Sequence, residues 1–162
     1  MKTIKLIFIL FMGLTISNCS KDDSDPSPQN YDDLTRQDIL DKESQMITGN
    51  ITTTNDSGLV WQVGDVIVYK TSADRYGKFE ILSIDQADNY KLTIKLTTFD
   101  SSGSVFISTN SLAIRGTYLC DLDTAIEMSN YGSDDDFHWN RQSNTLTYLT
   151  TRNYAKFLKY TF

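Results

Sequence analysis

The sequence predicts an all-β fold: an antiparallel meander of about eight short strands forming a small barrel or sandwich, with a short helix before it. Three observations predict it. In Tyr90-Lys91-Leu92-Thr93-Ile94-Lys95-Leu96-Thr97, apolar residues alternate with Lys and Thr, the period-two pattern of a strand with one dry face and one wet face. Turn-forming clusters recur between such segments, at Asn55-Asp56-Ser57-Gly58, Asp85 to Asn89, Asp100-Ser101-Ser102-Gly103 and Ser129 to Ser133. The only later stretch with a helical pattern, Asp123 to Met128, is too short to form the crossovers of a parallel sheet.

The elements follow in chain order. Thr35 is placed as a helix N-cap, with Asp38 three residues on and Leu34 and Ile39 as a hydrophobic staple, which predicts a helix running to about Glu43. Strands are expected at Val66-Ile67-Val68-Tyr69, Phe79-Glu80-Ile81-Leu82, Tyr90 to Thr97 and Val105-Phe106-Ile107. Leu112, Ile114, Tyr118, Cys120 and Leu122 continue the alternation around Gly116, where a strand bends or bulges. Thr145 to Tyr148 and Tyr154 to Phe162 complete the set. The final segment superficially resembles the closing strand of an outer-membrane barrel. Most of the strands are shorter than the 9 to 11 or so residues that crossing a membrane requires.

With 162 residues, 40% apolar and 12% aromatic, the chain holds one packed domain and a tail. Acidic residues outnumber basic ones 21 to 15, for a net charge of −6. That balance excludes a nucleic-acid role, which needs clustered Lys and Arg.

The first 18 residues have the layout of a signal peptide: Lys2 and Lys5, an apolar run from Leu6 to Ile16, then Ser17 and Asn18. The run is about half the roughly 20 residues of a membrane-spanning helix. Ile16-Ser17-Asn18-Cys19 resembles the lipobox of bacterial lipoproteins, which implies cleavage before Cys19 and lipidation of that residue. Asn18 departs from the small residue usual there. Ser20-Lys21-Asp22-Asp23 resembles the Lys-acidic-acidic export signal of surface lipoproteins in some Gram-negative bacteria, and implies an outer-membrane protein displayed at the cell surface, with a periplasm-facing orientation as the alternative. The segment from Trp61 to Asp123 resembles a domain of such lipoproteins, a likeness that brings no chemistry with it. Loss of Lys2 and Lys5 takes the basic count to 13 and the net charge to −8. The domain boundaries expected are 1–18 for the signal peptide, 19–33 for a disordered lipidated tether rich in Asp, Ser and Pro, and 34–162 for the β-domain. Fourteen extended tether residues would span up to roughly 46 Å.

Candidate chemistry is sparse. Asp134-Asp135-Asp136 is the densest carboxylate group, and hard oxygen ligands suit Ca²⁺, but the spacing lacks a recognised calcium loop and the better reading is a solvated loop with no cofactor. His138 is the only histidine and stands beside no nucleophile motif. Cys120 falls in phase with core residues, so it reads as a buried small hydrophobe, and no internal disulfide is expected. Glu80, Asp121, Asp123 and Glu127 supply carboxylates but no defined pair, and the chain is not expected to be an enzyme. Asp123-Thr124-Ala125 resembles the short Asp-Ser/Thr-apolar sequence glycosylated on exported proteins in some of the same bacteria, which marks Thr124 as a glycosylation candidate.

Aromatic residues are numerous, among them Trp61, Tyr69, Tyr76, Tyr131, Trp139, Tyr148, Tyr154 and Tyr160, and rings with a polar tip suit sugars or protein partners. Most belong in the core. Trp139 and Tyr76 are the two expected at strand ends, exposed to a ligand. The expected partners are thus the membrane, through the N-terminal lipid, and a glycan or protein ligand. The alternatives are a lipocalin-like carrier of a small apolar ligand inside a barrel, and a carboxylate-dependent hydrolase using Asp121 or Asp123.

Overall fold

The computed structural model describes residues 27–52, 61–143 and 146–162. The signal peptide, Cys19 and the turn at 55–58 lie outside the described residues. Among the described residues there are one short α-helix, α1 (Arg36–Leu40), and ten strands: β1 (Asn50–Thr52), β2 (Val66–Lys70), β3 (Tyr76–Asp85), β4 (Lys91–Phe99), β5 (Val105–Ile114), β6 (Tyr118–Asp121), β7 (Ile126–Met128), β8 (Phe137–Ser143), β9 (Leu146–Thr151) and β10 (Lys156–Tyr160). They make two antiparallel five-stranded sheets packed together, ordered β10-β2-β3-β4-β5 and β1-β9-β8-β6-β7. The result is a sandwich rather than a barrel. The expected meander holds for β2 to β5, while β10 returns to flank β2 and β9 lies between β8 and β1.

The helix starts where its capping residues dictate. Thr35 Oγ1 accepts from the Asp38 N–H at 3.3 Å, and Asp38 accepts from the Thr35 N–H at 2.8 Å, closing a capping box. Leu34 and Ile39 are buried as a staple would have them. The helix stops after Leu40, followed by a 3₁₀ turn over Glu43–Gln45. Asp123 to Met128, which reads as helical, instead yields β7, because its last three residues pair with Leu119, Cys120 and Asp121.

Strand alternation divides the apolar residues between two cores. Ile67, Tyr69, Phe79, Ile81, Leu92, Ile94 and Leu96 face the second sheet, against Cys120, Phe137, Trp139 and Leu149. Six large rings, Trp61, Tyr69, Phe79, Phe137, Trp139 and Phe157, are buried. They fill the interior that a lipocalin-like carrier would keep for its ligand. Val66, Val68, Tyr76 and Phe99 point the other way and are covered by Tyr31, Leu34, Ile39 and Met46. β2 is therefore dry on both faces, which explains its unbroken apolar run.

This second core corrects the expected tether. Tyr31 is buried, its hydroxyl donates to Thr97 Oγ1 at 3.1 Å, and the Lys78 ammonium holds its carbonyl oxygen, so packing begins before residue 34. The reason is tertiary: the outer face of the first sheet is apolar and needs a cover.

Among the described residues, three of the four sheet edges are protected from continued pairing. β7 has only three residues. β10 is capped by a bridge between Ile47 and Phe157 and carries Lys156 and Lys159. β5 is long, but its register to β4 shifts twice, once between Ile94 and Leu96 and once between Thr98 and Phe99. Such bulges twist an edge away from partners. Among the described residues no helix is long and apolar enough to cross a membrane.

Candidate functional site

The antiparallel order brings four connections to one end of the sandwich, 71–75, 100–104, 122–125 and 152–155, and the 129–136 segment returns there from the far end of the short β7 to begin β8. The residues with chemistry to offer collect there. At the centre, Asp121, Asp123 and Asp136 each place a carboxylate oxygen within 4.8 Å of the others. Asp121 is a turn cap: Oδ1 accepts from the N–H groups of Asp123 at 2.8 Å and Thr124 at 3.1 Å, and Oδ2 accepts from Thr124 Oγ1 at 2.7 Å. Asp123 faces the Arg75 guanidinium at 3.4 Å, and burial pushes its pKa above the usual carboxylate range despite that cation.

Asp136 is sealed from solvent. One oxygen accepts from the Ser72 N–H at 2.7 Å and the other from the Leu122 N–H at 2.8 Å. It thereby joins the β2–β3 loop of one sheet to the β6–β7 loop of the other. Desolvation pushes its pKa up to about 7, against the pull of the two N–H donors. With both oxygens occupied and no exposure, this carboxylate fastens the sandwich and does not face a substrate.

The Asp134-Asp135-Asp136 trio is not one site. The three side chains diverge: Asp134 is exposed beside Ser133 Oγ, Asp135 turns to Arg152, and Asp136 turns inward. The buried Asp135 accepts from Arg152 Nε at 2.9 Å, Asn153 Nδ2 at 3.0 Å and the Gly132 N–H at 2.9 Å. Burial alone would raise its pKa, but these donors hold it below the usual carboxylate range.

The two aromatics singled out in the sequence are both buried. Trp139 is the third residue of β8, so strand parity turns it inward with Phe137, and its Nε1 donates to the Tyr90 carbonyl at 2.7 Å. Tyr76 lies under the N-terminal segment, with Arg36 above its ring at 5.1 Å and its hydroxyl donating to Glu43 at 2.5 Å. Cys120 is a free, buried thiol. Thr124 is exposed, with its hydroxyl turned to Asp121.

The exposed rings at this end are Phe106, Tyr131 and Tyr154. Phe106 carries the Arg75 guanidinium 4.0 Å above it and lines an open groove of about 540 Å³ with Arg36, Asp74, Arg75, Asp100 and Ser101. Tyr131 packs edge-on against His138 at 5.7 Å, with the Arg152 guanidinium 4.7 Å from its ring. Tyr131 and Tyr154 stand among the aromatics in the sequence with nothing to single them out except their turns: Gly132 follows one, and Asn153, a residue tolerant of left-handed backbone, precedes the other.

The Asp136 arrangement makes a pH prediction. A carboxyl whose pKa is higher in the folded than in the unfolded state favours folding most below the unfolded value near 4, and that advantage fades as pH rises to about 7. Replacing Asp136 with Asn removes the titration. The stability of the native protein relative to Asp136→Asn is therefore expected to fall by roughly 2 to 4 kcal/mol between pH 4.5 and 8, measured by denaturant titration. A flat difference would show that Asp136 ionises freely. No protein-family model, curated protein or solved structure matches the chain.

Proposed function

We propose that this chain is an outer-membrane lipoprotein, anchored through Cys19 and displayed at the cell surface, whose β-sandwich is a non-catalytic binding module for a glycan or protein. The observation that carries the reading is the gathering of exposed rings at the loop end: of the four exposed aromatics among the described residues, Phe106, Tyr131, Tyr154 and Phe162, three lie there. The chain meets the domain midway along the first sheet, where Asp32 contacts Lys95 at 2.7 Å, and runs from there to Arg36 above Tyr76, at the loop end.

Eleven residues separate Cys19 from the buried Tyr31, a reach of at most about 40 Å, somewhat less than a tether of fourteen residues would allow.

Protease added to intact cells is expected to degrade the native protein as fully as in lysates. Cys19→Ser is expected to abolish palmitate labelling and release the protein from the membrane fraction. A protein resistant on whole cells but cut in lysates would overturn surface display, and membrane retention of Cys19→Ser would overturn the anchor.

A further inference from the structure

The geometry points to a carbohydrate site at Tyr131 and Tyr154, shaped for a neutral oligosaccharide. This inference rests on the binding-module reading above and narrows it to one place and one ligand class.

Tyr154 is 93% exposed and Tyr131 is 65% exposed, so neither ring contributes much to the core. Their backbones are nonetheless tightly held. Asn153 Nδ2 donates to the Gly132 carbonyl at 3.1 Å and to the Asp135 carbonyl at 2.8 Å, joining the turn that bears one tyrosine to the loop that bears the other. The buried Asp135 gathers Gly132, Arg152 and Asn153 around its carboxylate. Arg152 is thereby fixed beneath the Tyr131 ring. Two exposed rings on loops already locked in place lose little freedom on binding, which is the usual advantage of a preorganised site.

Tyr154 also sits where the backbone disfavours it. Asn153 and Tyr154 have φ of 47° and 70°, and the Ala155 N–H closes the turn on the Arg152 carbonyl at 2.8 Å. This is a type I′ turn, whose second position favours glycine. A bulky ring in left-handed backbone with almost no contact of its own costs stability, and strain of this kind gathers at functional positions.

Flat rings with polar tips stack on the apolar faces of sugar rings while their hydroxyls and nearby amides meet the sugar hydroxyls. Charge selects the class. The exposed Asp134 borders the loop, Arg152 is already paired with Asp135, and the processed chain carries −8, so uronic or sulfated glycans are repelled.

Affinity electrophoresis of the full chain in mild detergent, through gels containing soluble glucan, mannan, galactan or xylan, with alginate and pectate as anionic arms, tests the site. At least one neutral polysaccharide should retard the native protein, and Tyr131→Ala and Tyr154→Ala should each weaken that retardation about tenfold. Tyr154→Gly should lose binding equally while melting at a higher temperature, which separates ligand contact from folding. Retardation unchanged in the double alanine variant would leave glycan binding standing but overturn this site. Retardation by no neutral polysaccharide, or only by the anionic ones, would overturn the ligand class, while the protease result on whole cells judges the anchored display independently.

Discussion

Gly77→Ala is expected to destabilise the domain by about 3 kcal/mol, a large effect for a single methyl group. Gly77 lies in β3 opposite Tyr69 of β2, and the Tyr69 ring occupies the space above it. A Cβ there would come within 2.3 Å of Cζ and 2.4 Å of Cε2 of that ring. The ring has little room to yield. It is fully buried, with the rings of Phe79 and Phe157 at 6.0 and 5.7 Å, and its hydroxyl shares a 2.8 Å hydrogen bond with Thr98 Oγ1. Displacing it would disturb the contact between the two sheets. Chemical denaturation measures the loss, and a double-mutant cycle identifies its cause. In a Tyr69→Leu background the same glycine substitution should cost less than about 1 kcal/mol, because the clashing atoms are gone. Equal costs in both backgrounds would place the strain elsewhere.

Lys78→Met should cost about as much, roughly 3 kcal/mol, and should act first on the N-terminal segment. Lys78 is buried, yet no carboxylate lies within ion-pair distance of it among the described residues. Its ammonium donates instead to three backbone carbonyls, of Tyr31 at 2.5 Å, Leu34 at 2.7 Å and, more weakly, Asp32 at 3.4 Å. The Tyr31 ring lies 4.5 Å from the same nitrogen. Burial holds the Lys78 pKa below its ordinary value. Methionine keeps the stem's apolar contacts but leaves those carbonyls without their donor. Amide exchange in α1 and the following turn is expected to speed up more than exchange in β3 or β4, because the cover loosens before the sheets open. Arginine should not restore stability, since a planar fork does not match three converging carbonyls. Uniform acceleration across all strands would mean that Lys78 supports the sandwich as a whole.

Much of the fold can be read from the chain because its cause is local. The Thr35–Asp38 capping box involves four consecutive residues, and the alternation in Tyr90 to Thr97 reports a wet face and a dry face without reference to any partner. Where pairing decides, the sequence is silent. Ile126-Glu127-Met128 is too short to show a period and becomes a strand only because β6 lies beside it. β8 mixes Phe137 and Trp139 with His138, Asn140, Arg141 and Gln142, so its alternation is hidden among large polar side chains.

The candidate site was legible in kind and not in place. An excess of aromatics and a dense acidic loop are visible in the composition, but which rings stay in solvent depends on parity and cover. Trp139 enters the core because β8 begins at Phe137, and Tyr76 is covered because Tyr31 to Met46 fold over the first sheet. Tyr131 and Tyr154 remain exposed because both sit in connections outside the strands, the first against the edge of His138 and the second in the turn before β10. By itself the sequence determined the strand-rich class, the helix start and the free buried thiol, all set by side-chain period and neighbours along the chain. Only the tertiary structure decided that two sheets form instead of one closed barrel, that Asp136 fastens them, and which tyrosines meet the solvent. Each of these depends on contacts between residues far apart in sequence, whose energies no local pattern records.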